Sequence, residues 1–202
     1  MTENISQAAS DSVSKGEDIR QQVHDVTLEA LKTRRFGREA IRDVVRAVTE
    51  GMTRGAEGNR LGVRHALAEG FRGMDQALTK SVQAGEEAIR QLVATGRGIS
   101  DNEVKQALAG LRKVEEDFVA TVEQVAHSAN ERMRPELRKL VSDATHLGTE
   151  TGRRTAKLMA EFTITGIEIA GEFGARFAHL ASGVLGGMAD ALEKSDSSKK
   201  KV

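Results

Sequence analysis

Residues 41–89 read IRDVVRAVTEGMTRGAEGNRLGVRHALAEGFRGMDQALTKSVQAGEEAI, and one side-chain class returns in them every 11 positions. Ile41, Met52, Val63 and Met74 form one column. Val45, Ala56, Leu67, Leu78 and Ile89 form a second, and Gly51, Gly62 and Gly73 a third. Eleven residues over three turns is about 3.67 per turn, close to the natural helix, so the apolar stripe stays nearly straight along the axis. Ordinary amphipathicity also produces coincidences at 11. The glycine column is harder to obtain that way, because glycine costs about 0.8–1 kcal/mol against alanine inside a helix. Glycines in register mark either a close approach to the helix backbone or a row of weak points.

Composition supports helices on both sides of this stretch. The 202 residues include six Phe, one Pro and no Cys, Trp or Tyr. A β-sandwich or barrel needs frequent turns and many β-branched or aromatic residues. A disulfide framework and a Cys-ligated metal site are excluded. Lys plus Arg and Asp plus Glu both number 30, and zero net charge argues against a general nucleic-acid binder. Val, Ile, Leu and Phe total 46, so the core is expected to be thin and spread along narrow stripes.

Further along, Val104, Leu111, Phe118 and Val125 step by seven, with Leu108, Val114 and Val122 beside them. This is the grammar of a coiled-coil or bundle seam, and Val104, Leu108, Leu111, Phe118, Val122 and Val125 are expected to set an oligomer. The fold class expected is all-α: an elongated bundle of long amphipathic helices with 11-residue periodicity and a central heptad helix.

The expected divisions are a disordered 1–14, N-terminal amphipathic helices over 15–97, a central coiled-coil helix over 98–134, a long Gly/Ala-rich C-terminal helix or hairpin over 135–194, and a disordered Lys tail over 195–202. Ser14 with Glu17 and Ser100 with Glu103 have capping-box spacing. A first helix is expected from Ser14 to about Arg35 on Ile19, Val23, Val26, Leu28 and Leu31. Gly55, Gly58 and Asn59 mark a break, and Gly96 with Gly98 another. Pro135 is read as the first residue of a helix or as a kink, and Gly148 or Gly152 as a divider beyond it.

Between Leu158 and Leu192 the charges thin to Glu161, Glu168, Glu172, Arg176 and Asp190, with none from Phe177 to Ala189. The 11-residue steps return here, in Phe162, Phe173 and Val184 and in parallel columns. Small residues recur every four positions at Gly166, Ala170, Gly174, Ala178, Ser182 and Gly186, and such a ridge admits a second helix. Phe162, Phe173, Phe177, Leu180, Val184, Leu185 and Met188 are the expected surface- or partner-binding residues. The alternative is a tightly packed last core helix. A standard membrane span is not expected, because Glu168, Glu172 and Arg176 are costly in hydrocarbon.

Catalytic and metal constellations are not found. His24, His65, His127, His146 and His179 lie outside metal-motif spacing. The nearest arrangements, Asp143 with His146 and Glu123 with His127, are ordinary helix-surface pairs, as are the cations Arg132, Arg134, Arg153 and Arg154. No phosphate-binding loop or nucleophile elbow is present. No enzyme activity, cofactor, small-molecule substrate or specific nucleic acid is therefore expected.

On the 11-residue stripes of 38–95 and 158–192, the linking 101–133 and the Lys tail, the chain resembles the phasins that coat bacterial polyester granules, and more loosely apolipoprotein-type helices. That resemblance implies a cytoplasmic, non-enzymatic, self-associating protein, peripheral on polyhydroxyalkanoate inclusions or membrane. Two other functions fit the same residues. One is a homo-oligomeric coiled-coil scaffold, and the other a protein that inserts its Gly-ridged C-terminal helix into a membrane. A coat leaves its stripes exposed when free in water, whereas a scaffold buries them.

Overall fold

The computed structural model describes residues 2–33, 38–59, 62–95 and 101–164. Among them are seven α-helices and no strand: α1 (Thr2–Lys15), α2 (Ile19–Lys32), α3 (Arg38–Ala56), α4 (Val63–Thr95), α5 (Asp101–Ser128), α6 (Arg134–Leu147) and α7 (Glu150–Ile164). The all-α expectation therefore stands.

The axis of the bundle is α4, whose 33 residues span about 50 Å at 1.5 Å per residue. It touches α2, α3, α5, α6 and α7. Small residues make this crowding possible. Ala77, Ser81, Ala84 and Ala88 are buried between the larger Met74, Leu78, Val82 and Ile89, so most of the circumference faces protein.

Direction follows from cross-helix contacts. Gly51 faces Ser6 and Gly55 faces Ser10, so α1 and α3 run the same way. Arg42 donates to Asp117 and Asn130 donates to Glu57, which lays α5 parallel to α3. Arg20 binds Glu69 at 2.8 Å and Gly73 faces Arg20 and His24, so α2 and α4 share the other direction. Arg64–Glu136 and Arg90–Glu161 place α6 beside the first part of α4 and α7 beside the last. Helices α1, α3 and α5 thus run one way, and α2, α4, α6 and α7 the other, with α7 continuing α6.

The glycine column divides into two different uses. A Cβ on Gly51 would run into the carbonyl oxygen of Ser6, and one on Gly73 into that of Arg20. These are notches for backbone contact between parallel helices. Gly62 corrects the expectation: it lies in the turn before α4 at φ +94, and a Cβ there would meet nothing within 4 Å. Its conformation, not its packing, calls for glycine.

Three other expectations are corrected. Residues 2–14 are not disordered; α1 buries Ser6, Ala9, Ser12 and Val13 against α3. A helix with so few large apolar residues docks because Gly51 and Gly55 let its backbone come close. The Ser14–Glu17 capping box does not form. Ser14 donates to the Asp11 carbonyl at 3.2 Å, and α2 starts after Asp18 in a left-handed conformation, φ 47. Of the region 135–194, residues 135–164 are described, and Gly148 (φ 75, ψ 156), one of the two expected dividers, ends α6 two residues before α7 starts. Pro135 lies in the first turn of α6, where its missing N–H costs no hydrogen bond. Finally, Val104, Leu108, Leu111, Phe118, Val122 and Val125 are all buried in the chain's own core, so that seam is filled intramolecularly and cannot also face another copy. Phe118 stacks on Phe71 of α4 with ring centroids 4.8 Å apart. Gly96, Gly98 and Ser100 lie outside the described residues.

Two outcomes are expected. Gly51→Ala and Gly73→Ala each lower unfolding stability by about 1–3 kcal/mol in denaturant titrations, because backbone must move to admit the methyl. Gly58→Ala, with open space around it, stays within about 0.5 kcal/mol. Acid acts on the α2–α4 contact. Burial raises the Glu69 carboxyl, but hydrogen bonds and charge from Arg20 and Arg72 outweigh it and hold the group below the usual carboxylate range. Its contribution is therefore present above the ordinary carboxylate pKa and lost as pH falls through the depressed one. Glu69→Gln should flatten the loss of stability measured by urea titration between about pH 6 and about pH 3.

Candidate functional site

The seam between α4 and α7 is where polar chemistry concentrates. Gly148 stops α6, and Thr149 then caps α7 locally: its hydroxyl oxygen accepts from the Gly152 N–H at 2.8 Å. The same hydroxyl donates to Glu115 of α5 at 2.8 Å. The first amides of a helix lack intrahelical partners. Here Asp75 of α4 supplies them, accepting from Glu150 N at 2.7 Å and Thr151 N at 3.0 Å, while its carboxylate lies 2.7 Å from the Thr151 hydroxyl.

The seam continues along both helices. The Thr79 and Thr151 hydroxyls meet at 3.1 Å. Glu86, buried, accepts from Arg154 of α7 and from Arg90 of its own helix. Arg90 reaches on to Glu161 at 2.5 Å. Hydrogen bonding to Glu86 first, then to Glu161, raises the Arg90 pKa against the opposing effect of burial. Over residues 150–161 of α7 the buried side chains are Thr151, Thr155 and Leu158, with Met159 packed beside them.

Beside the seam, α4, α6 and the start of α7 enclose an open groove of about 400 Å³. Phe71, Asp75, Leu140 and Arg153 line it, and Leu147 stands at its edge. Leu147 is 78% exposed, the exposed large hydrophobic among the described residues.

The residues singled out from sequence are distributed unevenly. Gly51 and Gly73 are in helix–helix notches, and Gly62 is in a turn. The heptad residues are in the core. Phe162 belongs to α7. Gly166, Ala170, Phe173, Gly174, Phe177, Ala178, Leu180, Ser182, Val184, Leu185, Gly186 and Met188 lie outside the described residues. His24 is buried, with Nδ1 2.8 Å from Asp25 and Nε2 without a hydrogen-bond partner. His127 and His146 bond carbonyls of their own helices. Among the described residues no cluster of three metal-ligating side chains occurs. Sequence reasoning missed the seam. Its local half was visible, since Gly148-Thr149 followed by Gly152 is a stop-and-cap signal. Its partner Asp75 lies 76 residues from Thr151, where no local pattern reaches.

Removing that remote cap isolates its role. Asp75→Ala should cost about 1–2 kcal/mol, as lost helix caps do, with the change confined to α7 amides in hydrogen exchange.

Comparison with curated proteins and with solved structures returned no match. A family profile does match, over residues 1–194, and so takes in the bundle and most of the C-terminal segment together. The chain belongs to the family of unknown function DUF6781.

Proposed function

We propose that this is a non-enzymatic surface-binding protein. The helices α1–α7 are a head packed around one core, and the Gly/Ala-rich residues 165–192 bind an apolar surface, a polyester inclusion or lipid. One observation carries the reading. The stripes of α2, α3, α4 and α5 are spent on one another: Val23, Leu31, Ile41, Val45, Met52, Leu67, Leu78, Leu108 and Leu111 are all buried inside the chain. A coat spread along residues 38–95 has no stripe left to offer without unfolding the head. The apolar capacity that remains is in the uncharged run 177–189.

Phe162, Phe173, Phe177, Leu180, Val184, Leu185 and Met188 supply contact area, at about 25 cal/mol per Å² of apolar surface removed from water. The ridge Gly166, Ala170, Gly174, Ala178, Ser182 and Gly186 suits self-association of this segment with its copy, which moves the expected oligomer contact from the buried heptad residues to the C-terminus. Among the described residues no helix is long and apolar enough to cross a membrane. The affinity for polyester is supported by the phasin-like pattern of the segment, and that for lipid by its hydropathy.

Phe173→Asp combined with Phe177→Asp tests the reading. The double variant should lose co-sedimentation with polyester particles and flotation with lipid vesicles, while its helical circular dichroism stays that of the parent head. Undiminished binding in that variant overturns the C-terminal anchor. Indifference of the parent protein to both surfaces, with a defined oligomer in water, overturns surface binding and leaves the scaffold.

A further inference from the structure

The link between α1 and α2 takes a geometry that its own residues disfavour. Ser14 and Glu17 have the spacing of a capping box that would start α2 at Lys15. Glu17 and Asp18 would then stand in its first turn, where acids favour a helix. The bundle refuses that start. Helix α1 runs on to Lys15, the Ser14 hydroxyl donates to the Asp11 carbonyl, and the chain reverses through Gly16 at φ 75 and Asp18 at φ 47. Among the described residues Asp18 is the one non-glycine at positive φ. Left-handed backbone is disfavoured for any residue with a Cβ. Helix α2 begins after it with no side-chain cap and no acid in its first turn.

The docking of α1 on α3 is what demands this turn. The carbonyls of Ser6 and Ser10 lie against Gly51 and Gly55, and Ala9 and Val13 are fully buried beside them. Arg54 donates to the Ser6 hydroxyl at 2.6 Å, and Asn59 donates to the Val13 carbonyl. These partners all belong to α3 and the turn after it, and none to α2. A second copy of the chain offers the same set, so the link at 14–18 alone decides which copy receives the helix. Short hinges under strain favour such exchange, and a reciprocal exchange closes a twofold dimer with every α1–α3 contact kept. The residues that α1 would give up to the capping box, Ser14 and Lys15, are both exposed, so no burial is lost.

We propose that α1 is exchanged between two copies of this chain. The link opens, the Ser14–Glu17 box closes and extends α2 back to Lys15, and residues 2–13 dock in the Gly51–Gly55 notch of the other copy. The fold described above is the closed, single-chain form of the same contacts. This dimer uses neither the C-terminal ridge nor the surface-binding reading.

The full chain, refolded from denaturant at low and at high protein concentration, tests it by size-exclusion chromatography with light scattering. High concentration should yield a dimer that persists on dilution. Gly16→Ala burdens the closed link and suits the extended helix, so it should raise the dimer fraction about fivefold or more. Asp18→Gly relieves the closed link and weakens the extended helix, and should lower the fraction by a similar factor. Ser14→Ala with Glu17→Ala removes a box made only in the open form and should also lower it. The same order should hold in the Phe173→Asp, Phe177→Asp background, which removes association through the C-terminal segment. In a dimer formed from isotopically labelled and unlabelled chains, nuclear Overhauser contacts should join Ala9 and Val13 of one copy to Gly51 and Gly55 of the other. The exchange is overturned if neither the parent nor Gly16→Ala forms a dimer. It is equally overturned by a dimer that ignores the hinge variants, that vanishes with the two phenylalanines, or that lacks those contacts between copies.

Discussion

Helix backbones in contact at Gly51, Gly55 and Gly73 are the constraint from which this bundle follows. Where α1 crosses α3, and where α2 crosses α4, a single methyl would meet a carbonyl oxygen of the neighbour. That closeness compensates for a lean supply of large side chains. Dispersion falls off steeply with a fraction of an ångström of added gap, so helices faced with Ala and Ser gain contact only by approaching until backbones touch. It also explains how α4 can be surrounded. Ala77, Ser81, Ala84 and Ala88 leave room for neighbours on several sides, and Met74, Leu78, Val82 and Ile89 fill the space between them.

What could be read from the chain alone tracks the distance over which each device works. Of the columns at 11, Ile41, Met52, Met74, Val45, Ala56, Leu67, Leu78 and Ile89 are buried and Val63 is half-buried, but the columns cross the turn between α3 and α4 and do not follow one helix. The seven-residue steps from Val104 to Val125 also located a buried face, but spacing cannot say whose helix covers it, and here the chain covers its own. Gly62 stands in register with Gly51 and Gly73 because the count of residues carries across the turn that separates α3 from α4, not because one helix does. The N-terminal residues were unreadable for a different reason. Helix α1 has Val13 as its one large buried apolar side chain, and what secures it is the absence of side chains on α3. The candidate site was legible in halves: Gly148 and Thr149 announce a stop and a cap, whereas Asp75, Glu86 and Arg90 look like surface charges until α7 is laid on them.

The protein thus uses two kinds of interface for two purposes. Leucine, valine and phenylalanine join α3, α4 and α5 through contacts that water cannot replace, with Phe71 on Phe118 at their centre. Threonine, carboxylate and guanidinium join α7 to α4 through contacts that specify register, since each hydrogen bond has one geometry.

The parallel arrangement of alternate helices has a kinetic cost as well. Polar side-chain links from the second half of the described chain to α3, α4 and the turn between them join residues 68 to 78 positions apart: Arg42 with Asp117, Arg46 with Gln124, Arg64 with Glu136, Glu57 with Asn130, Asp75 with Thr151, Glu86 with Arg154 and Arg90 with Glu161. Most helical bundles fold fast because their contacts are local, and loop closure must be completed before distant ones contribute. This chain must bring whole helices past one another before those links form, so it belongs, by topology, with the slower mixed folds. During synthesis α1–α4 can assemble first, with the strip of α4 that receives α7 open to water until the last third of the chain emerges.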